Sequence, residues 1–197
     1  VLEIPQWALE GDAVYAETVT GLSGRGRSNV FTQEARALAA TPGGIYHYDK
    51  MLSGSYKDFT PDHYVFGYLM MNKLRNLNGE TWANVISEVA KGYAVNPLNH
   101  VLKKEVGLTK KKLFDYTFHD LAVRWNDSTS LPYTDYTVLN VTEKNDYASH
   151  YMPQRIDGNR IISLKTSLKR PSCFVINDKS DGTEHVMTTT GYIYPCF

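Results

Sequence analysis

No apolar run in this chain of 197 residues approaches the roughly 20 residues that span a bilayer, so no membrane span is predicted. Cysteine is scarce. Cys173 and Cys196 could pair across neighbouring strands, but two cysteines fix neither a disulfide framework nor a compartment. Charge of one sign is missing too, with 21 basic against 21 acidic residues, which excludes a large field aimed at nucleic acid or an anionic membrane. There is no signal-peptide pattern, and the chain starts at Val1 rather than methionine, so it reads as a mature product or a piece cut from something longer. Gly21-Leu22-Ser23-Gly24-Arg25-Gly26-Arg27 is glycine-rich yet lacks the Gly-Lys-Ser/Thr ending of a phosphate loop, and no strand precedes it.

What is present begins at the start. Residues 5–18 predict a helix entered at Pro5, with Trp7, Val14 and the alanines facing a core. Glu10 and Glu17 lie two turns apart, so their carboxylates share a face. Carboxylates beside apolar neighbours need a cation, a metal or solvent. In the loop that follows, Arg25 and Arg27 could clamp a substrate carboxylate, although such arginines more often tie a loop to nearby acids or carbonyls.

Helical periodicity continues through Thr32–Ala40, stopped by Thr41-Pro42-Gly43-Gly44, and the aromatic segment 45–60 reads as a loop. Thr60 and Pro61 predict the start of a long helix with Tyr64, Gly67, Tyr68, Met71 and Leu74 in one stripe, ended by Asn78-Gly79. Three more helices follow, from Thr81, from Pro97 and from Lys110 to about Trp125. At Asn126-Asp127-Ser128-Thr129-Ser130 the pattern changes. From Tyr133 it is β, beginning with Tyr136, Val138 and Val141 and giving about five short strands with a hairpin at 178–182 and a last apolar run, Tyr192-Ile193-Tyr194. The expected fold is therefore α+β: a lobe of four to six helices over 1–125, then an antiparallel meander over 126–197 whose open edge suggests a fragment.

Trp7-Ala8-Leu9-Glu10-Gly11, with Glu17 two turns on, resembles the second zinc-site helix of the gluzincin (aminopeptidase-N-like, peptidase MA-like) metallopeptidases. The resemblance implies that Glu10 is the third zinc ligand and that Glu17 supports it. Zn²⁺ held by one carboxylate and two imidazoles keeps an open position for water. Tyr64-Val65-Phe66-Gly67 resembles the family's downstream Tyr-x-x-Gly helix, which implies that the Tyr64 hydroxyl stabilises the oxyanion. Ile156-Asp157-Gly158-Asn159-Arg160-Ile161-Ile162 and Asp181-Gly182-Thr183-Glu184 resemble opening strands of a TolB-like β-propeller, an arrangement that implies a large exported, extracytoplasmic bacterial protein acting on a peptide or protein substrate.

One part of the family pattern is missing. None of the six histidines (His47, His63, His100, His119, His150 and His185) stands in a His-Glu-x-x-His motif. The chain thus lacks two zinc ligands and the general base, and is expected to be inactive and to bind zinc weakly by itself, as a fragment of a longer zinc metallopeptidase. Two other readings stay open: a non-catalytic peptidase-like scaffold whose propeller binds protein or glycan, and a structural domain in which Glu10 and Glu17 pair with arginines.

Overall fold

Local signals decide where the first and fourth helices start. Pro5 precedes the first helix, α1 (Gln6–Thr20), and its carbonyl accepts the Ala8 N–H at 2.9 Å. The fourth helix, α4 (His63–Leu77), starts later than Thr60-Pro61 suggests. The reason is Asp62, whose Oδ1 accepts the N–H groups of Tyr64 (2.9 Å) and Val65 (3.1 Å), a capping anion where the helix dipole favours one. Between them lie α2 (Asn29–Ala40) and the short α3 (Tyr48–Ser53), and α5 (Thr81–Ala90), α6 (Pro97–Val106) and α7 (Lys110–Asp127) follow. The computed structural model describes residues 4–77, 81–92, 96–127, 134–140 and 145–191, so Asn78-Gly79, Val141 and the run 192–194 lie outside the described residues.

The fold is α+β, with seven α-helices among the described residues followed by a four-stranded antiparallel sheet. The helix beyond the expected four to six is α3, in the segment read as a loop; its Tyr48 and Met51 are buried, so tertiary packing sets its conformation. The chain divides into a helical unit (1–53 and 60–131) and a second unit (54–59 and 132–197).

In the helical unit the largest buried side chains are Trp7, Phe66, Phe114, Met70, Met71 and Leu74. Trp7 satisfies its indole by donating from Nε1 to the Tyr48 hydroxyl at 2.9 Å, which lets a large amphipathic ring sit fully inside. The alanines of α1 divide: Ala8 is buried, while Ala13 and Ala16 face solvent. The tightest feature is where α1 crosses α4. A Cβ on Gly11 would lie 2.3 Å from the Gly67 carbonyl carbon, and one on Gly67 would lie 2.2 Å from the Trp7 carbonyl oxygen. Only glycine at both positions lets the backbones touch.

The second unit carries β1 (Ala148–Arg155), β2 (Arg160–Ser167), β3 (Ser172–Asp178) and β4 (Glu184–Gly191) in sequential order. Residues 134–139 form no strand, so the expected opening at Tyr136 and Val138 is corrected: both side chains are exposed and pair with no neighbour strand. The β1–β2 turn is held by Asp157, whose Oδ1 accepts the N–H groups of Asn159 and Arg160 at 2.9 Å each and whose Oδ2 meets Arg160 Nε at 2.7 Å. Those bonds, the Arg160 side chain first, hold the Asp157 carboxyl down at about 2. Toward β4 a buried polar group replaces an apolar core: Lys165 Nζ lies 2.6 Å from Glu184 Oε1, Asn177 donates to Glu184 Oε2 at 3.2 Å, and His150 Nε2 is 3.8 Å from the same oxygen.

Candidate functional site

The glycine crossing places the residues of the two N-terminal motifs next to each other. Glu10 directly precedes Gly11 on α1, and Tyr64 lies one turn before Gly67 on α4. The Glu10 carboxylate is the neighbour whose charge, foremost, pushes the Tyr64 phenol pKa up. Both side chains are half-buried, so the pair stands at the rim of the helical unit.

Glu17 serves the same cluster by another route. Its Oε1 accepts from Arg25 Nε at 2.7 Å and from the Arg25 backbone N–H at 3.0 Å, and its Oε2 faces Arg25 Nη2 at 3.3 Å. These bonds hold the Glu17 carboxyl below the usual carboxylate range and raise Arg25. The Arg25 guanidinium carbon lies 5.1 Å from the Tyr64 ring centroid and 5.9 Å from that of Phe31, both within cation–π range. Glu17, Arg25 and Tyr64 thus form one continuous set of contacts, and the Glu10 charge acts on its Tyr64 end.

The loop that carries Arg25 is pinned. Gly24 lies against α1 so closely that a Cβ would come within 2.3 Å of Thr18 Cα. Gly26 N–H donates to Thr18 Oγ1 at 3.0 Å, and Arg27 Nε donates to the Thr18 carbonyl at 3.0 Å. Arg25 and Arg27 therefore tie the loop to an acid and a carbonyl of α1. The glycine-rich spacing signalled close packing here, and the glycines meet helix backbone and the Tyr68 ring.

Two neighbours were not legible as site residues. His63, first residue of α4, lies with its ring 4.6 Å from that of Tyr64, and its Nε2 is buried without a hydrogen-bond partner. Asp62 caps α4 and adds negative charge near both Tyr64 and Arg25. A histidine at a helix start beside a tyrosine carries no spacing that would mark it.

For zinc, the test is the donor set. Among the described residues no group of three His, Cys, Asp or Glu side chains is arranged to hold a metal ion. Glu10 offers one carboxylate and Tyr64 a neutral hydroxyl, so these residues do not make a zinc site by themselves. No protein-family model, curated protein or solved structure matches the chain. No helix among the described residues is long and apolar enough to cross a membrane.

Proposed function

We propose that the helical unit supplies one face of a zinc metallopeptidase site, with Glu10 as a metal ligand and Tyr64 as the neutral donor that faces the developing oxyanion. The observation that carries this reading is the Gly11–Gly67 crossing, which brings Glu10 of α1 and Tyr64 of α4 beside each other. Two motifs distant in sequence are adjacent, and the glycine of each motif is what permits the approach. A hydroxyl held beside a half-buried carboxylate is placed before any substrate arrives, and preorganised donors are where such sites gain most of their rate.

The remaining ligands and the general base belong, on this reading, to a segment of a longer protein. The outward face of α1 beside Glu10 suits such a neighbour: Leu9, Ala13, Ala16 and Val19 are exposed there, while Trp7, Ala8 and Val14 fill the inward face. A helix that is apolar on both faces is suited to packing on both. The sheet unit is then the start of the propeller of an exported bacterial protein acting on peptides. Glu17 fits the structural-domain alternative better than a place beside a metal, because Arg25 occupies its carboxylate.

The test is made on the longer parent protein, assayed for bound zinc and peptide hydrolysis. Glu10→Gln is expected to lose zinc, and Tyr64→Phe to keep zinc and lose turnover. Zinc and activity both absent from the parent would favour the non-catalytic scaffold.

A further inference from the structure

Among the described residues Arg25 is the cation that lies between Glu17 and Tyr64, and its geometry assigns it a task other than gripping a substrate. We propose that Arg25 is a positioning residue: clamped by Glu17, its guanidinium fixes the Tyr64 ring in its place beside Glu10. The catalytic consequence rests on the peptidase reading above; the placement of the ring does not.

Three observations carry this. The fork of Arg25 is engaged edge-on by both oxygens of Glu17, and its backbone N–H is bound by the same carboxylate, so side chain and main chain are held by one group. The loop on either side has no slack, because Gly24 abuts α1 and Gly26 and Arg27 are both bonded to Thr18. The flat guanidinium then lies 5.1 Å from the Tyr64 centroid and 5.9 Å from Phe31 of α2, so one plane is referenced to three elements. A planar fork can bind a carboxylate along its edge and still offer its face to a ring, whereas a lysine ammonium is a point charge without that geometry. Glu17 therefore acts on Tyr64 only through Arg25.

The experiment uses this chain with ring-labelled tyrosine and reads the nuclear Overhauser contact between the Tyr64 ring and the Glu10 side chain, the Tyr64 signal being identified by its loss in Tyr64→Phe. Arg25→Lys and Arg25→Gln are both expected to abolish or broaden that contact while helix content is unchanged, and Glu17→Gln to weaken it. A Tyr64–Glu10 contact that survives Arg25→Gln overturns the proposal and leaves Arg25 a loop tether. If Arg25→Gln unfolds the unit, Arg25→Lys decides, since it keeps the charge. In the longer parent, Arg25→Lys is expected to lower kcat on the order of 10- to 100-fold with KM and zinc content unchanged, the scale of a small misplacement of a catalytic group. Loss of the contact in this chain without peptidase activity in the parent would refute the peptidase reading and leave the positioning intact.

Discussion

Replacing Gly11 by alanine sets two opposed effects against each other, and the sign of the result depends on the crossing geometry. In a helix interior alanine is better than glycine by about 1 kcal/mol, so α1 taken alone would be stabilised. In the fold, the new Cβ would lie 2.3 Å from the Gly67 carbonyl carbon and 2.5 Å from its oxygen. Carbon atoms at their optimum are about 3.5–4 Å apart, so the helices must separate by about 1 Å or more. The obstacle is backbone, which cannot swing away as a side chain would. Overpacking of this kind costs up to about 3 kcal/mol, and subtracting the propensity gain leaves a net loss of about 2 kcal/mol. For a unit of this size that is a fall in Tm of about 8 °C. The measurement is urea and thermal unfolding followed by far-ultraviolet circular dichroism, with Gly158→Ala as the control, because no atom lies within 4 Å of the Cβ it adds. The same separation would pull Tyr64 from Glu10. A Gly11→Ala chain as stable as the parent, or more so, would refute the close crossing and with it the adjacency of the two motifs.

The buried ion pair and the first turn of the sheet unit give two further tests. Burial raises the Glu184 carboxyl, but the bonds from Lys165 and Asn177 outweigh it and hold the pKa below the ordinary value. A depressed carboxyl stabilises above its unfolded pKa and loses that contribution as pH falls through the folded one, so the sheet is expected to weaken on acidification below about pH 4. Glu184→Gln replaces the carboxylate that faces Lys165 by a neutral amide, which is expected to destabilise the sheet and to remove this part of the pH dependence; amide exchange in β3 that is equally slow in both proteins would refute it. For Asp157, held at about 2 against an ordinary 3.8, the sign is the same: its turn bonds persist above about pH 4 and are lost as pH falls toward 2. An Asp157 carboxyl that titrates by NMR at the ordinary value would refute the three-bond turn.

The elements legible in the sequence were those with strong local signals. The apolar periodicity of Leu113, Phe114 and Phe118 and the hairpin glycine Gly182, at φ +71°, each decided its own surroundings, and the change from helix to sheet followed from them. What escaped was set by tertiary contact. The helix α3 forms because Tyr48 and Met51 are drawn into a core that includes the Trp7 indole. Asp62 displaces Thr60 as the cap through a side-chain geometry that no spacing encodes. In the candidate site the residue types on each helix were readable, and so was the tendency of such arginines to tie loops. Which acid Arg25 would meet was not, because the loop's approach depends on Gly24 fitting flat against Thr18. The same holds for the two glycines of the crossing, which appear in the motifs without any sign that they face each other.

If Glu10 is a metal ligand with Tyr64 as its neighbouring donor, bound metal depends on the Glu10 carboxylate and not on the Tyr64 hydroxyl. Zinc content of the purified longer protein, measured for the unaltered chain and for Glu10→Gln, tests it most directly. Bound zinc is expected in the first and its loss in the second, with Tyr64→Phe retaining the metal. Zinc stoichiometry unchanged by Glu10→Gln would contradict it.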